Sequence, residues 1–176
     1  MNHYLVMTII GPDRPGLVDN VASLVREHGG NWLESRMCKL GGQFAGILRV
    51  EIDANNEVPL LAALQKLESQ NIAVIANPET ANDETADIAK VSIELIGQDR
   101  PGIVSEITKA LARHKVNVEE LTTERLSAPM SAEPLFQASA TLHIPAGTDI
   151  PALRADLETI TSELMVDMIF GKPARA

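Results

Sequence analysis

Six residues, Gly11-Pro12-Asp13-Arg14-Pro15-Gly16, return as Gly97-Gln98-Asp99-Arg100-Pro101-Gly102, 86 positions further along a chain of 176. Their types suit the capture of a small zwitterion. A glycine after a proline at the start of a helix leaves backbone N–H groups unpaired and lets a ligand approach them. Such groups favour an anion of carboxylate size. An aspartate just outside offers a partner for an ammonium group. Proline disfavours helical geometry in the residue before it. This predicts Arg14 as the N-cap and Pro15 as the first helical residue, where a missing N–H costs nothing. Asn31 and Asn117, again 86 apart, add an amide that can both donate and accept.

The candidate ligand-binding residues are therefore Asp13, Arg14, Pro15, Gly16, Leu17 and Asn31 in the first copy. In the second they are Asp99, Arg100, Pro101, Gly102, Ile103 and Asn117. A purely structural reading stands beside this one. Proline and glycine are ordinary at helix starts, an Asp–Arg pair steadies a turn, and an asparagine punctuates a helix end.

No catalytic or metal-binding constellation emerges. Cys38 is the single cysteine, so an internal disulfide is impossible, and its mid-strand position predicts a buried thiol. His28 and His114 fall in the last turn of a helix, where partial positive charge is favourable. His3 and His143 lack ligand spacing. Arg14 and Asn31 imitate the phosphate-binding and water-positioning pair of an acyl-phosphate hydrolase. The phosphate loop of such an enzyme is absent, and no acid, base or nucleophile accompanies the pair. The chain reads as neither an enzyme nor a cofactor binder.

The elements that position these residues repeat in the same order. Apolar runs at 3–10, 31–40, 43–52 and 72–76 read as strands, with helices over 15–28 and 58–70. Leu17, Val18, Val21, Leu24 and Val25 share one helical face, as do Leu60, Leu61, Leu64 and Leu67. Gly41-Gly42 makes a hairpin turn. In the second half, strands are expected at 88–96, 117–126, 135–144 and 164–170, with helices at 101–114 and 149–162. Domain 1 is expected at 1–78, a polar linker at 79–87 and domain 2 at 88–172. Phe44 matches Phe136 at an offset of 92, so six residues are inserted around 127–134. Met130 in that insertion is a candidate contact for a protein partner. Met165 and Met168 are expected to fill core gaps, and Asp149, Asp156 and Glu158 to form a solvated helix face.

A βαββαβ unit packs two helices on one face of an antiparallel sheet of order 4-1-3-2. The fold class is α+β, two ferredoxin-like units with an exposed second strand each. An exposed edge favours pairing. The equivalent edge of the other half or of another chain can supply it, and the expected assembly is a homodimer. Trp32 covers such an interface or packs on its own sheet.

The formal net charge is −9, and Lys and Arg form no cluster. That disfavours direct nucleic-acid binding, which needs a positive surface. No apolar stretch approaches the roughly 20 residues that span a bilayer, and no secretory leader is legible. A cytoplasmic protein without membrane contact is expected.

The doubled Gly-x-Asp-Arg-Pro-Gly loop, with His28-Gly29-Gly30-Asn31 and with His114 and Asn117, resembles the ACT domain, once in each half. The resemblance implies ligand-sensing modules that bind amino acids at interfaces between units, through this loop and the start of the second strand. The tandem arrangement resembles the group of glycine cleavage system transcriptional repressors. That implies a small amino acid, glycine or similar, as ligand. It also implies a protein partner such as a DNA-binding transcriptional activator. A regulatory subunit of an amino-acid biosynthetic enzyme is the alternative. Leu17 against Ile103, Trp32 against Val118 and the one-sided insertion imply that the two sites are not equivalent.

Overall fold

A computed structural model describes residues 2–79, 89–127 and 134–171. The expected linker beyond Glu79, the interior of the insertion with Met130, and the end of the second domain lie outside the described residues. The chain divides into two compact units, Met1–Asn82 and Asp83–Ala176.

The first unit runs β1 (Asn2–Pro12), α1 (Leu17–Glu27), β2 (Asn31–Leu40), β3 (Gln43–Asp53), α2 (Ala54–Gln65) and β4 (Ala73–Pro78). A short 3₁₀ turn, Lys66–Gln70, extends α2. The second runs β5 (Ala89–Gln98), α3 (Ile103–Arg113), β6 (Asn117–Ser127), β7 (Pro134–Ile144), α4 (Ile150–Leu164) and β8 (Val166–Gly171). The sheets have the orders β2-β3-β1-β4 and β6-β7-β5-β8. Every pairing is antiparallel. This is the α+β arrangement expected from the sequence, with β2 and β6 at sheet edges.

The alternation of side chains decides which face is covered. Leu5, Met7 and Ile9 of β1 are buried, while Tyr4 and Ile10 are exposed. Leu17, Val21 and Val25 of α1 and Leu60 and Leu64 of α2 close over the buried row. The second core repeats this with Val91, Ile93 and Leu95 under Ile103, Ile107, Leu111, Leu153 and Leu157. Both cores are aliphatic. Deleting one such leucine side chain removes about 2–5 kcal/mol.

Several expectations need correction. The α2 helix starts at Ala54, four residues before the apolar run, because the Asp53 carboxylate accepts from Asn55 N at 2.9 Å and caps it. Val18 and Val104 are exposed, since the buried stripe of α1 and α3 passes through the residues on either side. Cys38 is exposed. It pairs with Ala45, on the same sheet face as the exposed Ile47, whereas its neighbour Met37 faces the core. Met165 is also exposed, because it forms the left-handed C-cap of α4 with φ 54°. Met168 does pack against the core. Asp149 is not merely solvated: it caps α4, accepting from Ala152 N at 3.0 Å. Asp156 meets Arg113 at 3.0 Å and His114 at 3.2 Å, and Glu158 pairs with Arg154 at 2.8 Å. His28 Nδ1 lies 2.8 Å from Leu24 O, consistent with a helix-end role.

A feature absent from the sequence reading is a bulge at the same place in both edge strands, between Trp32 and Glu34 and between Val118 and Glu120. In the second unit it turns Glu119 toward Lys90, at 2.9 Å, and His143, at 2.8 Å. The hydrogen bond from Lys90 holds the Glu119 carboxyl below its ordinary pKa, and the nearby His143 adds to this.

Two outcomes follow from these contacts. Asp149→Ala removes the α4 cap and lowers unfolding free energy by about 1 kcal/mol in urea denaturation; an unchanged midpoint contradicts the capping role. Because Glu119 has a lowered folded-state pKa, its contribution is present above the ordinary carboxyl pKa and is lost as pH falls through the lowered value. Glu119→Gln therefore flattens the acid limb of the stability–pH curve. A limb as steep as in the parent chain places the acid sensitivity elsewhere.

Candidate functional site

Each residue of the repeated loop has an identifiable place. Gly11 lies where a Cβ would come within 3.1 Å of Ile72 Cγ1 and 3.2 Å of Asn71 O. At Gly97 the crowding is tighter, with Met165 O and Val166 Cα both at 2.8 Å. The first glycine of the motif thus admits the backbone entering β4 or β8.

The last glycine has a different task. Gly16 has φ 89° and ψ −4°, and Gly102 has φ 100° and ψ −12°. With Pro15 before it and Leu17 N 3.5 Å from Arg14 O, the segment Arg14–Leu17 is a type II turn. That turn requires positive φ at its third residue. The expected N-cap is therefore corrected: Gly16 and Gly102 are the N-caps, and the helices begin at Leu17 and Ile103. Pro15 and Pro101 sit in the turn that precedes the helix.

The aspartates are already engaged. Asp13 N donates to Gly42 O at 3.0 Å, and its carboxylate pairs with Lys39 at the end of β2. Asp99 N donates to Pro134 O at 3.0 Å, and Arg125 Nε meets its carboxylate at 2.8 Å. Lys39 and Arg125 are equivalent positions, so one device ties each loop to its edge strand. The ammonium that meets Asp13 is the chain's own. The arginines differ. Arg14 donates to Gln70 O at 3.1 Å and Gln70 Oε1 at 3.2 Å, fixing the loop to the 3₁₀ turn. Arg100 instead reaches Gln98 Oε1 at 3.0 Å and the Met165 sulfur at 3.7 Å.

What the loop leaves available is backbone. The α2 and α4 helices are capped by Asp53 and Asp149, but α1 and α3 have no side-chain cap. The first intrahelical bonds are Asn20 N to Gly16 O and Glu106 N to Gly102 O, both 2.9 Å. The amides of residues 18–19 and 103–105 precede them, the Leu17 amide being used in the turn, and above each glycine the space is open. These amides and the helix dipole make a positive spot. The two spots differ at the third helical residue, which is Asp19 in α1 and Ser105 in α3. Asp19 supplies its own negative charge, whereas the corresponding position of α3 is neutral. The adjacent Glu106 is paired with Lys109 at 2.7 Å.

The structure does not bring Asn31 or Asn117 to its own unit's loop. Asn31 pairs with Glu51 and Asn117 with His143, at the sheet end opposite to the Pro12–Gln43 and Gln98–Leu135 pairs. Both asparagines are exposed. Among the described residues no three His, Cys, Asp or Glu converge as metal ligands, and no helix is long and apolar enough to cross a membrane.

Comparison with known proteins agrees with this geometry. Residues 3–75 and residues 91–160 each match a family model described as the ACT domain. Over 164 residues the chain is 26% identical to the glycine cleavage system transcriptional repressor of Escherichia coli (strain K12), covering 92% of this chain and 86% of that protein. The crystal structure of an unknown protein from Galdieria sulphuraria superposes with a TM-score of 0.84 at 25% identity, over 99% of this chain and all of that one. A structure provisionally assigned as a glycine cleavage system transcriptional repressor shares the fold, with a TM-score of 0.72 at 19% identity over 99% of both chains. The chain belongs to the ACT-domain family and carries one such domain in each half.

Proposed function

We propose that this protein is a non-catalytic amino-acid sensor that controls transcription by binding a partner regulator rather than DNA. The observation that carries this reading is the uncapped start of α3. There the amides of Ile103, Val104 and Ser105 precede the first intrahelical bond beside the open space above Gly102, and the carboxylate of that turn, Glu106, is paired with Lys109. A ligand carboxylate fits that spot. In the first unit Asp19 opposes a second anion, whereas Lys109 offsets Glu106 in the second, so the α3 loop is the principal site. Similarity to a transcriptional repressor over most of the chain supports the regulatory role. A net charge of −9 favours a protein partner over nucleic acid. The reading places the protein in the cytoplasm.

Asp99 is held by Arg125, so the ligand ammonium needs another acceptor. Antiparallel pairing of an edge strand with the same strand of a second copy sets the start of one beside the end of the other. The amide oxygen of Asn117 or Asn31 from that copy then reaches the loop, which its own ion pair anchors to the strand end. A homodimer completes the site on this reading, and the residues that form it are those named from the sequence.

Calorimetric titration of the full chain with common amino acids tests the sensor. One amino acid is expected to bind with micromolar to millimolar affinity, about 4–8 kcal/mol. Gly102→Leu, which covers the amides, and Asn117→Ala, which leaves the helix start intact, both abolish or severely weaken it. Heat that persists unchanged in both variants removes the loop from the site. Sedimentation equilibrium is expected to show a dimer, and a strictly monomeric mass contradicts the shared site. Co-purification of a biosynthetic enzyme in place of a transcription factor redirects the sensor to enzyme regulation.

A further inference from the structure

The two units share a backbone but not the space between the first helix and the edge strand. In the second unit a cavity of about 20 Å³ lies there, lined by Ile103, Val104, Ile107, Val118, Leu121 and Phe136 over the floor of Ala138. Its lining is entirely carbon, because the Thr108 hydroxyl turns back to Val104 O at 2.8 Å. A water molecule entering it finds no hydrogen-bond partner, so only an apolar group fills it favourably. Val104 and Leu121 remain 39% and 46% exposed, which leaves its rim open.

In the first unit the corresponding space is occupied by the chain itself. Both edge strands carry the same bulge, so the offset of 86 holds along them. Trp32 stands at the position of Val118 and packs against the core. Met37 stands at the position of Thr123 and lies over Gly46, where a Cβ would come within 2.4 Å of Met37 Cγ. Gly46 pairs with Met37 as Ala138 pairs with Thr123. Tryptophan in one unit is replaced by valine in the other, at the wall of the cleft.

The cleft and the proposed carboxylate spot share two residues: Ile103 and Val104 contribute their amides to the spot and line the cleft. We propose that this cleft receives the aliphatic side chain of the sensed amino acid, so that the second unit selects a small branched ligand, valine-sized, over glycine. The volume limits the occupant to one or two methyl groups. The carboxylate on the α3 amides orients the α-carbon so that the side chain points down the helix flank. The inference rests on the amino-acid reading of the α3 loop, and it adds the side-chain class of the ligand.

Titration of the full-length protein with glycine, alanine and valine by isothermal calorimetry tests it. Valine is expected to bind at least tenfold more tightly than glycine, the discrimination that a few buried methyl groups supply. Val118→Trp, which installs the residue of the first unit, is expected to reduce valine affinity to the glycine level while glycine binding stays unchanged. Ala138→Val fills the cleft from the sheet side with a smaller change and guards against misfolding of the tryptophan variant, with circular dichroism reporting the fold of each. Equal or tighter binding of glycine by the parent chain overturns the inference and leaves the sensor standing. A valine preference that survives both variants also overturns it. Absence of heat from all three amino acids, with no other amino acid binding, overturns the sensor reading and this inference together.

Discussion

The architecture of each unit turns on a left-handed glycine. At Gly16 and Gly102 the backbone has φ 89° and 100°, values that an L-residue adopts only with strain. That conformation reverses the chain within one turn and lays the following helix across the strand it has just left. It also places a residue without a side chain at the N-cap. The other two helices satisfy their first amides with aspartates, and these two do not. One conformational requirement therefore produces both the packing of helix on sheet and an exposed set of donors.

The loop is over-determined around that glycine. The first glycine of the motif is fixed by the close passage of β4 or β8, and the aspartate by an ion pair to the edge strand. An exposed ion pair contributes little to stability, so its value lies in geometry. It couples the loop to the edge strand of its sheet. On the proposed reading, a ligand on the amides and a strand added at that edge meet at the same corner of the unit.

Much of this was legible in the sequence for physical reasons. Period-two and period-3.6 apolar patterns give the strands and helices, and the order βαββαβ with right-handed crossovers leaves few topologies. The repeat marks the joint where both loops sit. What escaped depends on small displacements of register. The bulge in β2 and β6 involves one residue and has no compositional signature. It nevertheless decides how the pairing of Cys38 and Ala45 falls on the open face. Arg14 was expected as the N-cap because the rule for a residue before proline was applied without the competing demand of the turn, which moves the cap to the glycine. The partners of Asp13 and Asp99 lie 26 residues away, at Lys39 and Arg125, and no local pattern connects them. Met165 reads as core filler until the left-handed cap of α4 turns it outward.

The comparison of the halves carries a further lesson about where specificity resides. Apart from the arginine, whose contacts differ between the halves, the shared residues of the motif answer a need of the backbone: close approach, turn geometry, or attachment to the edge. Identity between the halves at those positions therefore reports a common fold and says little about which half binds what. The informative positions are the ones that differ on the same framework. Asp19 against Ser105 changes the charge at the helix start, and Trp32 against Val118 changes whether the flank is filled. Both differences act in the same direction. On the proposed reading, they disfavour an added carboxylate and side chain in the first unit and leave room for them in the second. The two loops are alike in their shared residues, and the sequence differences just outside them are where the proposed difference in binding between the halves rests.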